Sequence, residues 1–303
     1  MENAAPIFVA GKSGQLGRCL SDIARRRDLR IAVAGRPDFD IEKPESVDRV
    51  LHKLTPKIII NAAAYTAVDK AETEPERCYF VNRDGAGRLA AAAWRRKVPF
   101  IHISTDYVFD GQKSSPYRED DGTAPLGVYG RSKLEGEKAV LAAHPEALIL
   151  RTSWVYSPFG SNFVKTILRL AESRPLLQVV DDQRGCPTSA HDLAAALLDI
   201  VPQLLEAGAG RRAGIYHLSG TGQTTWYGFA AEILENVKKR GWRLPALKAI
   251  TTADYPTFAQ RPPNSALDCA KVKRAFGINL PPWSASVAGC INQLTTHKEL
   301  QPC

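Results

Sequence analysis

Five short apolar runs punctuate the first half of this chain: Ile7–Gly11, Arg30–Ala34, Lys57–Asn61, Val98–Ser104 and Ala147–Arg151. Between them, Leu16–Arg27, Pro44–Leu54, Pro75–Arg96 and Tyr129–Ala143 space their apolar residues at helical intervals, as with Leu16, Leu20, Ile23 and Ala24. Short buried strands that alternate with helices imply an α/β fold with a parallel, doubly wound sheet. After Arg151 the rhythm loosens, and Trp154, Tyr156, Pro158, Trp226, Tyr227, Pro245 and Tyr255 become frequent. A helix over Ala190–Leu205 and a strand over Gly214–Ser219 have the pattern to rejoin the sheet.

With 44% hydrophobic and 24% charged residues among 303, the chain is an ordinary globular one, neither disordered nor fibrous. Its 40 Lys and Arg against 32 Asp and Glu leave a net charge of +8. The basic runs are short and scattered: Arg25–Arg27, Arg95–Lys97, Arg211–Arg212 and Lys238–Arg240. Three of the four follow Ala- or Leu-rich helical stretches, where cations offset the helix dipole. No basic stripe is interleaved with aromatic residues, so nucleic acid is not an expected partner. The six cysteines lie far apart, with no C-x-x-C pair and no metal-ligand spacing, and read as reduced thiols of a cytoplasmic protein. Met1–Pro6 lacks the basic start of a signal peptide, and no apolar stretch approaches the ~20 residues that span a bilayer.

Gly11, Gly14 and Gly17 fall in the turn between the first strand and the first helix. There the backbone N–H groups of Gly11, Ser13, Gly14, Gln15, Leu16 and Gly17 can cradle a dinucleotide pyrophosphate at a helix N-terminus, provided no Cβ blocks the approach. The spacing is G-x-x-G-x-x-G rather than G-x-G-x-x-G. Where an NAD enzyme places a carboxylate at the end of the second strand, this chain has Arg36. A guanidinium there pairs with a 2′-phosphate, favouring NADPH, with NADH as the alternative. Asp40 and Ile41, and Ala63, Ala64 and Tyr65 after the third strand, fall where adenine and the nicotinamide ribose are expected. The expected architecture is a Rossmann-like NAD(P)-binding domain over 1–153, rejoined by 185–219, with a smaller substrate-binding α/β lobe over 154–184 and 220–303.

Tyr129 and Lys133 are one helical turn apart on the same helix face. A lysine there stabilises phenolate and should lower the tyrosine pKa, making it a better proton donor to a carbonyl oxygen. Ser104 and Thr105 close the fourth strand, at the sheet edge where such folds hold ligands, and either hydroxyl could reach the same substrate oxygen.

The glycine turn, Ser104-Thr105-Asp106 and Tyr129-x-x-x-Lys133, in that order, resemble the extended short-chain dehydrogenase/reductases. The longer segments Asn61–Glu72, Ser104–Gly111, Pro125–Lys133, Arg151–Tyr156, Asp182–Thr188 and Arg261–Ser265 make the chain similar, over nearly its whole length, to the dTDP-4-dehydrorhamnose reductase family. The resemblance implies reduction of the 4-keto group of a dTDP-sugar. Tyr129 would be the proton donor, Lys133 would tune it and hold the nicotinamide ribose, and Thr105 and Asp106 would be at the substrate. It further places Trp154 and Asn162 at the nucleotide-sugar, with Arg184 or Arg261 at its diphosphate. Some members hold a bridging divalent cation between subunits with carboxylates where this chain has Cys19 and His191. The metal-bridged dimer is therefore not carried over, a homodimer stays open, and no metal is expected in the chemistry. Two alternatives stay open: a reductase or epimerase of another nucleotide-sugar, and a non-catalytic partner like the regulatory β subunit of methionine adenosyltransferase.

Overall fold

The computed structural model describes residues 7–207 and 209–296; Met1–Pro6 and Cys303 lie outside them. Strands β1 (Ile7–Ala10), β2 (Ile31–Ala34), β3 (Ile58–Asn61), β4 (Phe100–Thr105), β5 (Leu148–Thr152) and β10 (Gly214–His217) form one six-stranded sheet, in the order β10-β5-β4-β3-β1-β2. Every pairing in it is parallel; the short strands β6 (Val155–Tyr156), β8 (Arg184–Gly185), β9 (Thr188–Ser189) and β11 (Thr224–Thr225) and the short helix α3 (Val68–Ala71) lie outside it. The order reverses between β1 and β3, so the loops leaving these two strands diverge and open a crevice at the carboxyl edge.

Alternate residues of each strand feed two hydrophobic layers. Val9, Ile58, Ile60, Ile101 and Leu150 pack against α1 (Gln15–Arg26) and α8 (Ala190–Ala207), through Leu20, Leu193, Leu197 and Ile200. Phe8, Ile59, Phe100 and Ile149 face α2 (Pro44–Leu54), α5 (Ala86–Arg95) and α6 (Val128–Ala143), through Leu51, Leu89 and Val140. A third core joins α7 (Phe163–Ser173), α9 (Trp226–Lys238) and α11 (Trp283–Thr296) to a parallel pair, β7 (Leu176–Val180) and β12 (Ala246–Ile250). The expected lobe over 220–303 is interrupted: α10 (Ala270–Phe276) buries Val272 and Phe276 in the first core, beside the main sheet.

The segment Pro75–Arg96, expected as one helix, is three pieces: α4 (Pro75–Tyr79), a π-helical stretch over Phe80–Gly85, and α5. Asn82 lies in the π stretch and is 1% exposed. Its Oδ1 accepts from Tyr65 N at 2.8 Å, and its Nδ2 donates to Tyr65 O at 3.1 Å and to Ser132 Oγ at 3.0 Å. The extra residue per turn turns Asn82 toward these partners, a common reason for a π stretch beside a functional site.

Candidate active site

A cleft of about 280 Å³ opens at the carboxyl edge of β1 and β3. Gly11, Ser13, Gly14, Arg36, Asp40, Ile41, Ala63, Ala64 and Tyr65, all expected at the cofactor, line it. A larger cavity of about 810 Å³ lies at the opposite edge, among Lys57, Trp94, Pro99 and Leu204, and no candidate residue reaches it. The smaller cleft therefore coincides with the expected cofactor residues, and the larger one does not.

The glycine turn fits a dinucleotide. Gly11 has φ +118°, and a Cβ on Gly17 would stand 2.1 Å from Gly11 O, so these positions require glycine. A Cβ on Gly14 would meet only Gly11 O at 3.5 Å and would otherwise project into the cleft. Helix α1 starts with Gly14 as its N-cap, with no side-chain cap and no acid in the first turn. Its first N–H groups are thus available to a pyrophosphate. Gln15 does something the sequence did not reveal: its Nε2 donates to Val155 O at 3.2 Å and its Oε1 accepts from Ser157 and Asn162, tying α1 to the second lobe.

Arg36 is exposed, with Nη1 3.9 Å from Glu42. Arg77, which the sequence reading missed, reaches the same carboxylate at 3.2 Å and also lines the cleft. Arg36 and Arg77 thus share the Glu42 carboxylate at a wall that Asp40 also lines. Asp40 Oδ1 accepts from Glu42 N at 3.1 Å and shapes the loop.

Tyr129 and Lys133 lie on α6, whose N-terminus meets the end of β4. The Tyr129 ring packs edge-on against Tyr107, centroids 5.8 Å apart, and its hydroxyl is hydrogen-bonded to Thr105. Thr105 Oγ1 is 3.0 Å from Asp106 Oδ1 and accepts from Tyr107 N at 3.2 Å. Asp106 is 2% exposed, and its Oδ2 has no hydrogen-bond partner among the described residues. Burial pushes this carboxyl up to about 7, against the hydrogen bonds of Ser265 and Thr105. Tyr129, Thr105 and Asp106 thus form one connected polar group at the carboxyl end of β4, one strand over from β3 and its cleft-lining loop.

One electrostatic expectation fails. Burial raises the Tyr129 phenol above its ordinary range, the Thr105 bond opposes this, and the Asp106 and Cys78 charges add to it; Lys133 does not bring it down. The lysine points elsewhere: Nζ donates to Ile103 O at 2.7 Å and lies 3.3 Å from His102 Nε2. Burial brings Lys133 itself down to about 8, against the pull of Glu137. Ser104 also departs from expectation as a hydroxyl for the substrate. Its Oγ donates to buried Glu137 at 2.5 Å, and Arg151 holds that carboxylate with two bonds of 2.9 and 2.7 Å. Of the two adjacent hydroxyls, only Thr105 reaches the tyrosine.

None of the expected sugar-nucleotide residues lines the cofactor cleft. Trp154, at φ +47°, stacks face to face on Trp226 at 3.5 Å. Arg261 Nη2 bonds Asp69 at 2.9 Å, while its buried Nη1 has no hydrogen-bond partner among the described residues. The Arg184 side chain is exposed at the end of a two-residue strand. Asn162 is the N-cap of α7, accepting from Lys165 N at 3.2 Å, and its amide nitrogen donates to Ser157 O and Gln15. Its amide is therefore fully engaged in holding the lobe together. Cys19 is fully buried with its thiol pushed up to about 12 by burial, and His191 pairs with Asp22 at 3.2 Å.

A glycine-turn crevice at the switch point of a parallel sheet, with Tyr-x-x-x-Lys and a strand-end hydroxyl at the same carboxyl edge, defines the dinucleotide-dependent short-chain dehydrogenase/reductase class. Comparison narrows this further. The model of the RmlD substrate binding domain matches residues 5–296. A dTDP-4-dehydrorhamnose reductase of Sinorhizobium fredii is 50% identical over 92% of this chain and 94% of its own length. That of Escherichia coli K12 is 42% identical over 96% and 98%. The crystal structure of a dTDP-4-dehydrorhamnose reductase from Bacillus anthracis in complex with NADP has a TM-score of 0.87 and 32% identity, covering 96% of this chain and 99% of that one. The chain belongs to the dTDP-4-dehydrorhamnose reductase family.

Proposed function

We propose that this chain reduces the 4-keto group of dTDP-4-dehydro-6-deoxy-L-mannose to give dTDP-L-rhamnose, with NADPH as the preferred cofactor. The reading is carried by one observation: the Tyr129–Thr105–Asp106 group stands at the carboxyl end of β4, beside β3, whose following loop lines a cleft built for a dinucleotide. Identity of 40–50% to reductases of this name supports the substrate.

NADPH, when bound, supplies the hydride that adds to the sugar C4. The Gly11–Gly17 turn and the α1 N-terminus would hold its pyrophosphate, Arg36 and Arg77 its 2′-phosphate, and Lys133 its nicotinamide ribose. Tyr129 gives its proton to the oxygen on C4 as that oxygen gains negative charge, and its high intrinsic pKa keeps it protonated until then. Thr105 orients that oxygen through its hydroxyl. The unpartnered Nη1 of Arg261 supports a role at the sugar diphosphate, and the Trp154–Trp226 stack offers an aromatic surface for the nucleotide. No helix among the described residues is long and apolar enough to cross a membrane. The five described cysteines are free, as expected for a cytoplasmic site of action.

The test is loss of NADPH absorbance on adding dTDP-4-dehydrorhamnose, with the product identified by NMR. Formation of dTDP-L-rhamnose is the expected result. A different sugar would assign the chain to a sister reductase, and no turnover with both ligands bound would favour the regulatory-subunit reading. Tyr129→Phe should lower kcat by about 10²–10⁴-fold and leave NADPH affinity unchanged; unchanged turnover would remove Tyr129 as the acid.

A further inference from the structure

His102 is the one ring nitrogen base in the strand Phe-Ile-His-Ile-Ser-Thr, and it is fully buried. In the sheet register it sits directly beside Asn61 of β3. Its two nitrogens face two different partners: Nδ1 is 3.1 Å from Asn61 Nδ2, and Nε2 is 3.3 Å from Lys133 Nζ.

The Asn61 amide cannot be turned around at no cost, because its Oδ1 accepts the Ala63 N–H at 3.1 Å. Its NH₂ group therefore faces the imidazole and donates to Nδ1. A neutral imidazole that accepts at Nδ1 must carry its proton on Nε2. That N–H points at Lys133, whose nitrogen can accept only as a neutral amine. When Lys133 is an ammonium, one donor must face another: either Nε2–H against Nζ–H, or, after the ring proton moves to Nδ1, Nδ1–H against the Asn61 NH₂. Unpaired buried donors of this kind are costly.

We infer that His102 is a positioning residue which, held as its Nε2–H tautomer by Asn61, opposes the ammonium form of Lys133 and so sets the alkaline limit of the reaction. The charged and titratable groups around Lys133 leave room for this effect. On its own helix, Glu137 is bound by Arg151 of β5 and by Ser104 of β4, and Tyr129 stands one turn earlier. Cys78 of α4 has its thiol raised, by burial first. His102 is held neutral, its basicity lowered by burial and then by Lys133. Burial, which brings Lys133 down to about 8, acts in the same direction as the donor facing it. The arrangement also links the two halves of the site, since the same Asn61 amide that orients His102 holds Ala63 in the cofactor wall.

The kinetic consequence rests on the reductase reading; the tautomer does not, so the two can fail separately. In the free wild-type protein labelled with ¹⁵N-histidine, long-range ¹H–¹⁵N NMR should find the His102 proton on Nε2 at alkaline pH, above the Lys133 titration. A proton on Nδ1 there would overturn the inference. His102→Gln can present an amide oxygen to Lys133 in place of a donor. Its alkaline limb in kcat/KM should move up by about one pH unit, and so should the Lys133 titration read by NMR of its ζ nitrogen. A folded His102→Gln protein with both unmoved would also overturn the inference. If that variant does not fold, the wild-type tautomer still decides.

Discussion

Replacing Asp106 with asparagine should make the stability of the protein less sensitive to pH between about 4 and 7. The carboxyl is 2% exposed, one of its oxygens has no partner among the described residues, and burial raises it from 3.8 to about 7. A group whose folded value is raised binds its proton more tightly in the native state. Its contribution is therefore fully present below about pH 4 and is lost as pH rises through 7. A rise of about three units, at about 1.4 kcal/mol per unit, is worth on the order of 4 kcal/mol across that window. The amide of the variant has no proton to lose. Urea denaturation of the wild type and of Asp106→Asn at pH 5, 6, 7 and 8 gives the unfolding free energy of each. The variant should gain on the wild type with each step to pH 7 and then level off. A constant difference across the series would mean that Asp106 is ionised throughout, and would refute the reasoning from its burial.

The other predictions concern the cofactor cleft. Arg36→Ala should raise the KM for NADPH by roughly tenfold or more and leave NADH nearly unaffected, and Arg77→Ala should do the same if both guanidiniums meet the 2′-phosphate. Measuring both cofactors with both variants checks this, and an unchanged preference would exclude that pairing. Gly17→Ala puts a Cβ 2.1 Å from Gly11 O, so it should cost about 1–3 kcal/mol of stability and weaken NADPH binding, measured by thermal melting and fluorescence titration. Retention of both would mean that the turn yields more readily than its packing implies.

What the sequence determined by itself is local. The glycine turn between β1 and α1, the one-turn spacing of Tyr129 and Lys133, and the hydroxyl at the end of β4 each depend on residues a few positions apart. Backbone sterics and helical periodicity specify such features before any tertiary contact forms. Most cleft-lining residues were legible for the same reason, since they follow directly on strands whose apolar pattern places their ends. The tertiary structure decided where the polar atoms point. Ser104 and Thr105 are adjacent and chemically alike, yet Glu137, 33 residues on, takes one hydroxyl and leaves the other to Tyr129. The helix over 75–96 is broken because Asn82 finds Tyr65 and Ser132, 17 and 50 residues away. Lys133 turns to Ile103 and His102 rather than to the phenol, and Arg77 joins Arg36 at a wall that no spacing links. A buried hydrogen-bonding group must find a partner wherever the fold brings one, and such partners are set by the packing of sheet and helices rather than by distance along the chain.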